Sequence, residues 1–503
     1  VRTLSKSKLI AWRQCPKRLW LEVHQPELRA DSSSTAASFA AGHEVGDVAR
    51  RIYDPQDLGT TLDPGEIGIG GVLARTQELL AQRRPIFEAG FSVKEGERGA
   101  LSLADVLLPE PDGSWHMVEV KSSTQVKDYH VEDAAIQFHI ATRAGLRVSR
   151  VSVAHIDSKW VYPGGADRRG LLKEVDVSGR VGTLQAEVPR WIASAHDVVD
   201  GDEPAQRMGG HCGAPFDCGF RGHCEQQLVA AEGTVEFPVH WLPGIRSEAL
   251  KEHIAQNGVR SMEDVPDALL SERQLRVKRQ MLEGQVFFDR EGAASALAAH
   301  PLPALFLDFE TIGFAVPRWA GTRPYQQIPF QFSLHRLDAA GALTHSGFLD
   351  LTGTDPSHAL ARALVDACEA PGPIFAYNKG FERGRIAELA ERFAELRLPL
   401  LRIANRLVDL LPVAKEHYYH PEQQGSWSIK RVLPAMVPDL RYDDLAGVRD
   451  GGEAQQAYIE AIASQTSATR RNQLRDQLSR YCELDTFAMV RIWQQFHPDT
   501  NEP

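Results

Sequence analysis

Two acid-bearing β-strand patterns, together with segments of helical apolar spacing, predict a multidomain α/β protein. The 503 residues are enough for two or three domains with separate cores. Hydrophobic content of 43% and charge of 24% are ordinary for a globular chain. No uninterrupted apolar run approaches a membrane span, and the first residues lack a secretory apolar segment, so a cytoplasmic protein without a membrane partner is expected. The net charge of -11 carries no global nucleic-acid signal. Any basic contact surface must be local. Lys6, Lys8, Arg13, Lys17 and Arg18 form one candidate group, and Arg273, Arg276, Lys278 and Arg279 a second.

The first pattern is Leu101-Ser-Leu-Ala-Asp-Val-Leu-Leu108, a Pro/Gly turn, and Trp115-His-Met-Val-Glu-Val-Lys121. It reads as two adjacent strands. Alternation puts Glu119 and Lys121 on one face, with Val118 and Val120 on the other. Asp105 on the neighbouring strand can share the charged face. Carboxylates facing each other in a core are costly unless a cation lies between them, which points to a divalent metal site and a nuclease. An exposed hairpin with ordinary surface charges is the alternative.

Val131-Glu-Asp-Ala-Ala-Ile-Gln-Phe-His-Ile-Ala141 has helical apolar spacing and stops at Gly145. Carrying Gln137, it resembles the helix that follows the lysine strand in RecB-like PD-(D/E)XK nucleases. Two departures stand out: Ala141 replaces the usual tyrosine, and the Gly-x-x-x-His of the first helix is missing. His43 and Glu44, in Gly42-His-Glu-Val-Gly46, are the nearest supporting candidates. The resemblance implies a restriction-endonuclease-like domain in which Asp105, Glu119 and the Val120 carbonyl hold Mg²⁺ or Mn²⁺, with Lys121 acting on the attacking water.

Four of the six cysteines form a set: Cys15 near the start, then Cys212, Cys218 and Cys224 within one short loop. In a reducing compartment such a loop points to metal rather than disulfides. Structural zinc usually uses close Cys-x-x-Cys pairs, absent here, and four thiolates also suit an iron–sulfur cluster. Spacing does not choose between them. One cysteine before the nuclease core and three after it is similar to iron–sulfur-stapled RecB-like nucleases, which implies a [4Fe–4S] cluster tying the two ends of the domain together. Cys368 and Cys482 read as buried apolar side chains.

The second pattern is Pro303-Ala-Leu-Phe-Leu-Asp-Phe-Glu-Thr311. Asp308 and Glu310 share a face of an otherwise apolar strand, where they repel each other and lose hydration, and a bound cation removes both costs. Ile374-Phe-Ala-Tyr-Asn-Lys-Gly-Phe-Glu382 reads as strand, turn and helix start. Tyr481 and Asp485 lie four residues apart, on one helix face. Together these resemble the DEDDy exonucleases of the DnaQ-like, RNase H-fold group, with Glu382 where that group has Asp. The likeness implies a two-metal site of Asp308, Glu310, Glu382 and Asp485, with Tyr481 orienting water and Asp409 as a structural acid. The apolar run Tyr325–His335 is expected to pack beside the acid-bearing strand.

Both halves together resemble a bacterial family that joins an iron–sulfur PD-(D/E)XK domain to a DnaQ-like domain. The expected organisation is a nuclease domain over 1–232, a short helical connector over 233–300, and an exonuclease domain over 301–497. Arg449-Asp-Gly-Gly-Glu453 reads as a loop. The expected activity is metal-dependent hydrolysis of nucleic acid, single-stranded DNA foremost, with the second centre working 3′→5′. Two alternatives stay open: an RNA-trimming exonuclease, and a nucleic-acid-binding redox sensor with one degenerate nuclease site.

Overall fold

The computed structural model describes residues 2–95 and 98–497. It is a mixed α/β structure with more than one sheet. The chain divides into two compact units, Val1–Glu232 with Gly313–Gln326, and Gly233–Ile312 with Gln327–Pro503.

Unit 1 begins with β1 (Arg2–Ser5), α1 (Lys6–Gln14), α2 (Pro16–His24) and α3 (Ser33–Tyr53). After β2 (Thr60–Thr61) and α4 (Pro64–Leu80) come the central strands β3 (Ile86–Glu95), β4 (Arg98–Pro109) and β5 (Trp115–Lys121). Then follow α5 (Asp128–Arg143), β6 (Val148–Ile156), β7 (Leu172–Asp176), α6 (Ser178–Leu184), α7 (Val188–Asp200) and α8 (Arg221–Glu232). The sheet runs β2-β3-β4-β5-β6-β7, with β1 also pairing β4. Leu4, Leu9, Ile136, Ile140 and Trp191 pack in the main core. On β4 and β5, Val106 and Val118 pack with Phe87 and Ala154 in a separate cluster. Period-2 alternation thus gives the strands two apolar faces, as strands covered on both sides require.

Unit 2 opens with α9 (Glu248–Asn257), α10 (Glu272–Glu283), β8 (Phe287–Phe288) and α11 (Arg290–Leu297). Gly258 and Gly284 end the first two of these helices in left-handed geometry, with φ of 59° and 65°, where a side chain would be strained. Next come β9 (Ala304–Ile312), β10 (Ile328–Leu337), β11 (Leu343–Leu349), α12 (Ser357–Ala367), β12 (Ile374–Ala376) and α13 (Gly380–Arg392). The remainder is α14 (Arg397–Asn405), β13 (Leu407–Asp409), α15 (Leu410–His417), β14 (Tyr418–Tyr419), α16 (Ile429–Met436), α17 (Gly451–Ile462) and α18 (Ala468–Phe496). Five strands form a mixed sheet in the order β11-β10-β9-β12-β13.

Three placements differ from the sequence reading. Residues 233–300 belong to unit 2 rather than standing alone as a connector. The segment Gly313–Gln326 leaves unit 2 after β9 and belongs to unit 1. There Ala315 and Val316 pack with Val45, Val48 and Ile156, and the Tyr325 hydroxyl donates to the Ser122 carbonyl. A strand pattern reveals the strand but not which core its loop joins. Lastly, Arg449–Glu453 is not all loop. Asp450 caps α17 by accepting the Glu453 N–H at 2.8 Å, so the cap outweighs the two glycines.

Candidate functional site

The first constellation lies at the β4–β5 pair. Val106 pairs with Val118, so Asp105 and Glu119 fall opposite each other one step along. Val120, the next residue after Glu119, donates its N–H to Asp105 Oδ2 at 2.7 Å. Lys121 Nζ reaches Glu119 Oε1 at 2.5 Å and also pairs with Asp133 of α5. Gln137, one turn after Asp133, donates to Glu119 Oε2. Lys6, the first residue of α1, donates to Glu119 Oε1 at 2.9 Å and pairs with Asp133 Oδ1 at 3.3 Å.

Burial and the neighbouring Glu119 charge push Asp105 up to about 8. Burial would raise Glu119 as well, but Lys121 and Lys6 hold it well below the carboxylate range. The pair is therefore split into one reluctant acid and one firmly ionised acid. A divalent cation would favour the charged form of Asp105, and Gln137 Oε1 is buried without a partner beside it. These residues fit a metal.

Of the supporting candidates, Gln137 is in place. His43 is exposed and is one of the charged neighbours of Glu88 on β3. Glu44 does not join the centre as expected, and its charged neighbours are Arg318 and Arg168. The reason is helical: successive positions on α3 project about 100° apart, so one cannot follow the other. Sequence reasoning missed Asp133 and the role of Lys6. The four-residue spacing of Asp133 and Gln137 on one helix face was the available signal.

The second constellation gathers on unit 2. Asp308 and Glu310 project from β9. Asp308, Glu310 and Cys482 each bring a ligand atom within 4.8 Å of the others. Tyr481 and Asp485 lie on the buried side of α18. Asp485 Oδ1 accepts a hydrogen bond of 2.6 Å from Tyr442. Glu382 sits in the first turn of α13, and its Oε2 is buried without a partner. Asp409 accepts backbone N–H bonds from Asn378 at 2.9 Å, Lys379 at 3.2 Å and Leu411 at 3.0 Å. It braces the turn that delivers Glu382.

The acids here are all displaced upward. Burial, then Asp485, Glu310 and Glu382, raise Asp308 well above its usual range. Burial and Asp485 push Glu310 to about 8. Burial lifts Glu382 to about 7 and Asp485 to about 6. Lys430 of α16 faces Glu310 and Asp485, its ammonium 5.0 Å from the Tyr481 ring and 5.3 Å from the Tyr442 ring, and Arg385 faces Glu382. The carboxylates outnumber these cations, an arrangement that a divalent cation would relieve. Lys430, Tyr442 and Cys482 are additions to the sequence-derived set.

Comparison with known proteins bears on part of this chain. Residues 305–428 match a domain of unknown function, DUF2779. That span carries Asp308, Glu310 and Glu382 and ends before Tyr442, Tyr481 and Asp485. No curated protein matches. Among solved structures, the chain is similar to the one titled "Crystal structure of SSO0001", at 14% identity over 45% of this chain and 87% of that chain, with a TM-score of 0.26.

The four cysteines meet at one edge of unit 1. Cys15 is the junction of α1 and α2, and the Lys17 and Arg18 N–H groups face its sulfur. Cys212, Cys218, Cys224 and Cys15 line one cavity together with Leu21 and Phe220. Gln14 fastens the loop by donating to the His211 and Phe216 carbonyls, each at 2.7 Å. Burial raises the Cys15 and Cys218 thiols and pushes Cys224 to about 11, so thiolates here require a metal to displace their protons. Four cysteine sulfurs around one cavity suit either a single metal ion or an iron–sulfur cluster.

The basic residues proposed from sequence as a nucleic-acid surface are largely engaged within the protein. Arg13 pairs with Glu132, Lys17 with Glu203 and Arg18 with Glu22. Arg273 and Arg276 both reach Glu416, and Lys278 pairs with Asp267.

Proposed function

We propose that this chain is a metal-dependent nuclease with two centres, acting foremost on single-stranded DNA. The observation that carries the reading is the convergence of Asp308, Glu310, Glu382 and Asp485, from β9, α13 and α18, with Tyr481 one turn from Asp485. Buried together, these acids repel one another and lose hydration, costs that a bound cation would remove. At this centre they would hold Mg²⁺ or Mn²⁺, with Tyr481 orienting the attacking water and 3′→5′ polarity expected. At the other centre Asp105, Glu119 and the Val120 carbonyl would hold the metal, Gln137 fixes the Glu119 carboxylate, and Lys121, held as an ammonium by Glu119 and Asp133, would position the attacking water. When bound, such ions neutralise the phosphate and acidify a coordinated water. The four cysteines, which line one cavity, suit a [4Fe–4S] cluster of structural role.

The test is cleavage of end-labelled single-stranded DNA and matched RNA in Mn²⁺ by the wild type, Lys121→Ala, Asp308→Asn and the double variant. Each single variant is expected to retain one mode of cleavage, Lys121→Ala shortening strands from the 3′ end, and the double variant to retain none. Undiminished cleavage by the double variant would refute both assignments. A preference for RNA would move the substrate to RNA trimming and leave the centres standing.

A further inference from the structure

We infer that Lys6 is a substrate-positioning residue of the first centre, standing on Glu119 until a cation displaces it and then taking the scissile phosphate. The inference rests on the metal-dependent reading of that centre.

The charges set the argument. Lys6 and Lys121 pair with Glu119 and Asp133 in a closed set of two cations and two anions. That set is neutral, and Glu119 is only 2% exposed, its two oxygens taken by Lys6, Lys121 and Gln137. A cation seated on Glu119 Oε1, where both lysines already donate, has to displace one of them. Gln137 is fully buried and neutral, so its withdrawal relieves no repulsion. Lys121 extends from the same strand as Glu119, two residues on. Lys6 comes from a different element, and although the two lysines are similarly exposed, 19% and 21%, Lys6 holds the centre by one hydrogen bond, to Glu119, where Lys121 holds it by two, to Glu119 and Asp133. Asp133 accepts a hydrogen bond from Lys121 through Oδ2, and its Oδ1 lies 3.3 Å from Lys6 Nζ without a hydrogen bond, so Lys6 keeps an ion-pair partner as it leaves Glu119.

The backbone under Lys6 is held at both ends. β1 fixes the preceding residues by parallel pairing with β4, Leu4 opposite Ala100 and Ser5 opposite Leu101. Ser5 caps α1, Leu9 is fully buried, and the helix ends at Cys15. Movement is thereby confined to the four-carbon stem of the lysine, and an ammonium freed beside a bound divalent ion has an anionic phosphate as its natural acceptor.

The experiment uses the full-length chain with Asp308→Asn silencing the second centre. Mn²⁺ binding is measured by calorimetry, and a fluorescent single-stranded oligonucleotide is titrated by anisotropy in Ca²⁺. Lys6→Met is expected to bind Mn²⁺ at least as tightly as its parent. It should bind the oligonucleotide about five- to tenfold more weakly, with the log–log salt slope smaller by about 0.7. Lys6→Arg, which keeps the charge, should recover the slope and also covers the case in which Lys6→Met fails to fold. Weaker Mn²⁺ binding with unchanged oligonucleotide affinity would overturn the inference and leave Lys6 a structural brace. A Glu119→Gln control separates the two levels: if it leaves Mn²⁺ binding unchanged, the metal reading of the centre fails and the inference with it.

Discussion

Glu382 shows how one residue reports the state of its centre. Its buried Oε2 has no partner, and the buried Glu310 nearby is likewise displaced upward, to about 8. Both carboxyls bind their proton more tightly folded than unfolded. Their protonated forms therefore stabilise unit 2 below the ordinary glutamate range near 4.5, and that stability is lost as pH rises through about 7 for Glu382 and about 8 for Glu310. Calorimetry of metal-free protein should show the unit 2 transition falling between pH 5 and 9, and added Mn²⁺ should reverse the trend. A transition that does not move with pH would count against unscreened acids. Glu382→Gln should raise the metal-free melting temperature at pH 8 while weakening Mn²⁺ binding. Tyr442→Phe removes the 2.6 Å bond to Asp485 and should cost about 1–3 kcal/mol in denaturant unfolding.

At the scale of elements, α18 is seated on β10 through a buried polar cluster rather than apolar contact alone. Thr486 Oγ1 lies 2.7 Å from Ser333 Oγ and 2.8 Å from His335 Nδ1, and Gln331 Nε2 donates to the Leu478 carbonyl at 2.9 Å. Ser333 pairs with Asp308 across the sheet, so this cluster sets where Tyr481 and Asp485 face the acids of β9. Thr486→Val keeps the shape and orphans its partners. It is expected to cost about 1–3 kcal/mol and to lower exonuclease activity more than Mn²⁺ affinity, checked by unfolding and by end-label assays. The period-2 and 3.6 patterns exposed β4, β5, β9, α5 and α18 in the sequence, because apolar residues recur in each at the period of its element. The capped start of α17 escaped notice because a glycine pair masks a helix whose stability comes from Asp450 and packing.

For the molecule as a whole, a cluster held by Cys15 and Cys212, as proposed, would close a long loop in unit 1. It spans 197 positions, and a ligand set joining its ends removes much unfolded-chain entropy. Cys15→Ala is expected to melt unit 1 at markedly lower temperature while the unit 2 transition stays in place, read as two separate calorimetric transitions. Anaerobically purified wild type should be brown with about four irons per chain. Colourless protein with one zinc would replace the cluster and keep the four ligands.

The acids and the lysine proposed to carry chemistry, and the strands and helices that bear them, were determined by local pattern. Asp105, Glu119, Lys121, Asp308 and Glu310 break apolar alternation, and a break in alternation is visible without any fold. Lys6, Asp133, Tyr442 and Lys430 obey their local patterns and look like ordinary surface or core positions, so their membership was decided only when distant elements met. The same holds for Gly313–Gln326, whose side chains suit either core. Periodicity states which face of an element is buried. It does not state against what, because that depends on contacts between residues far apart in the chain.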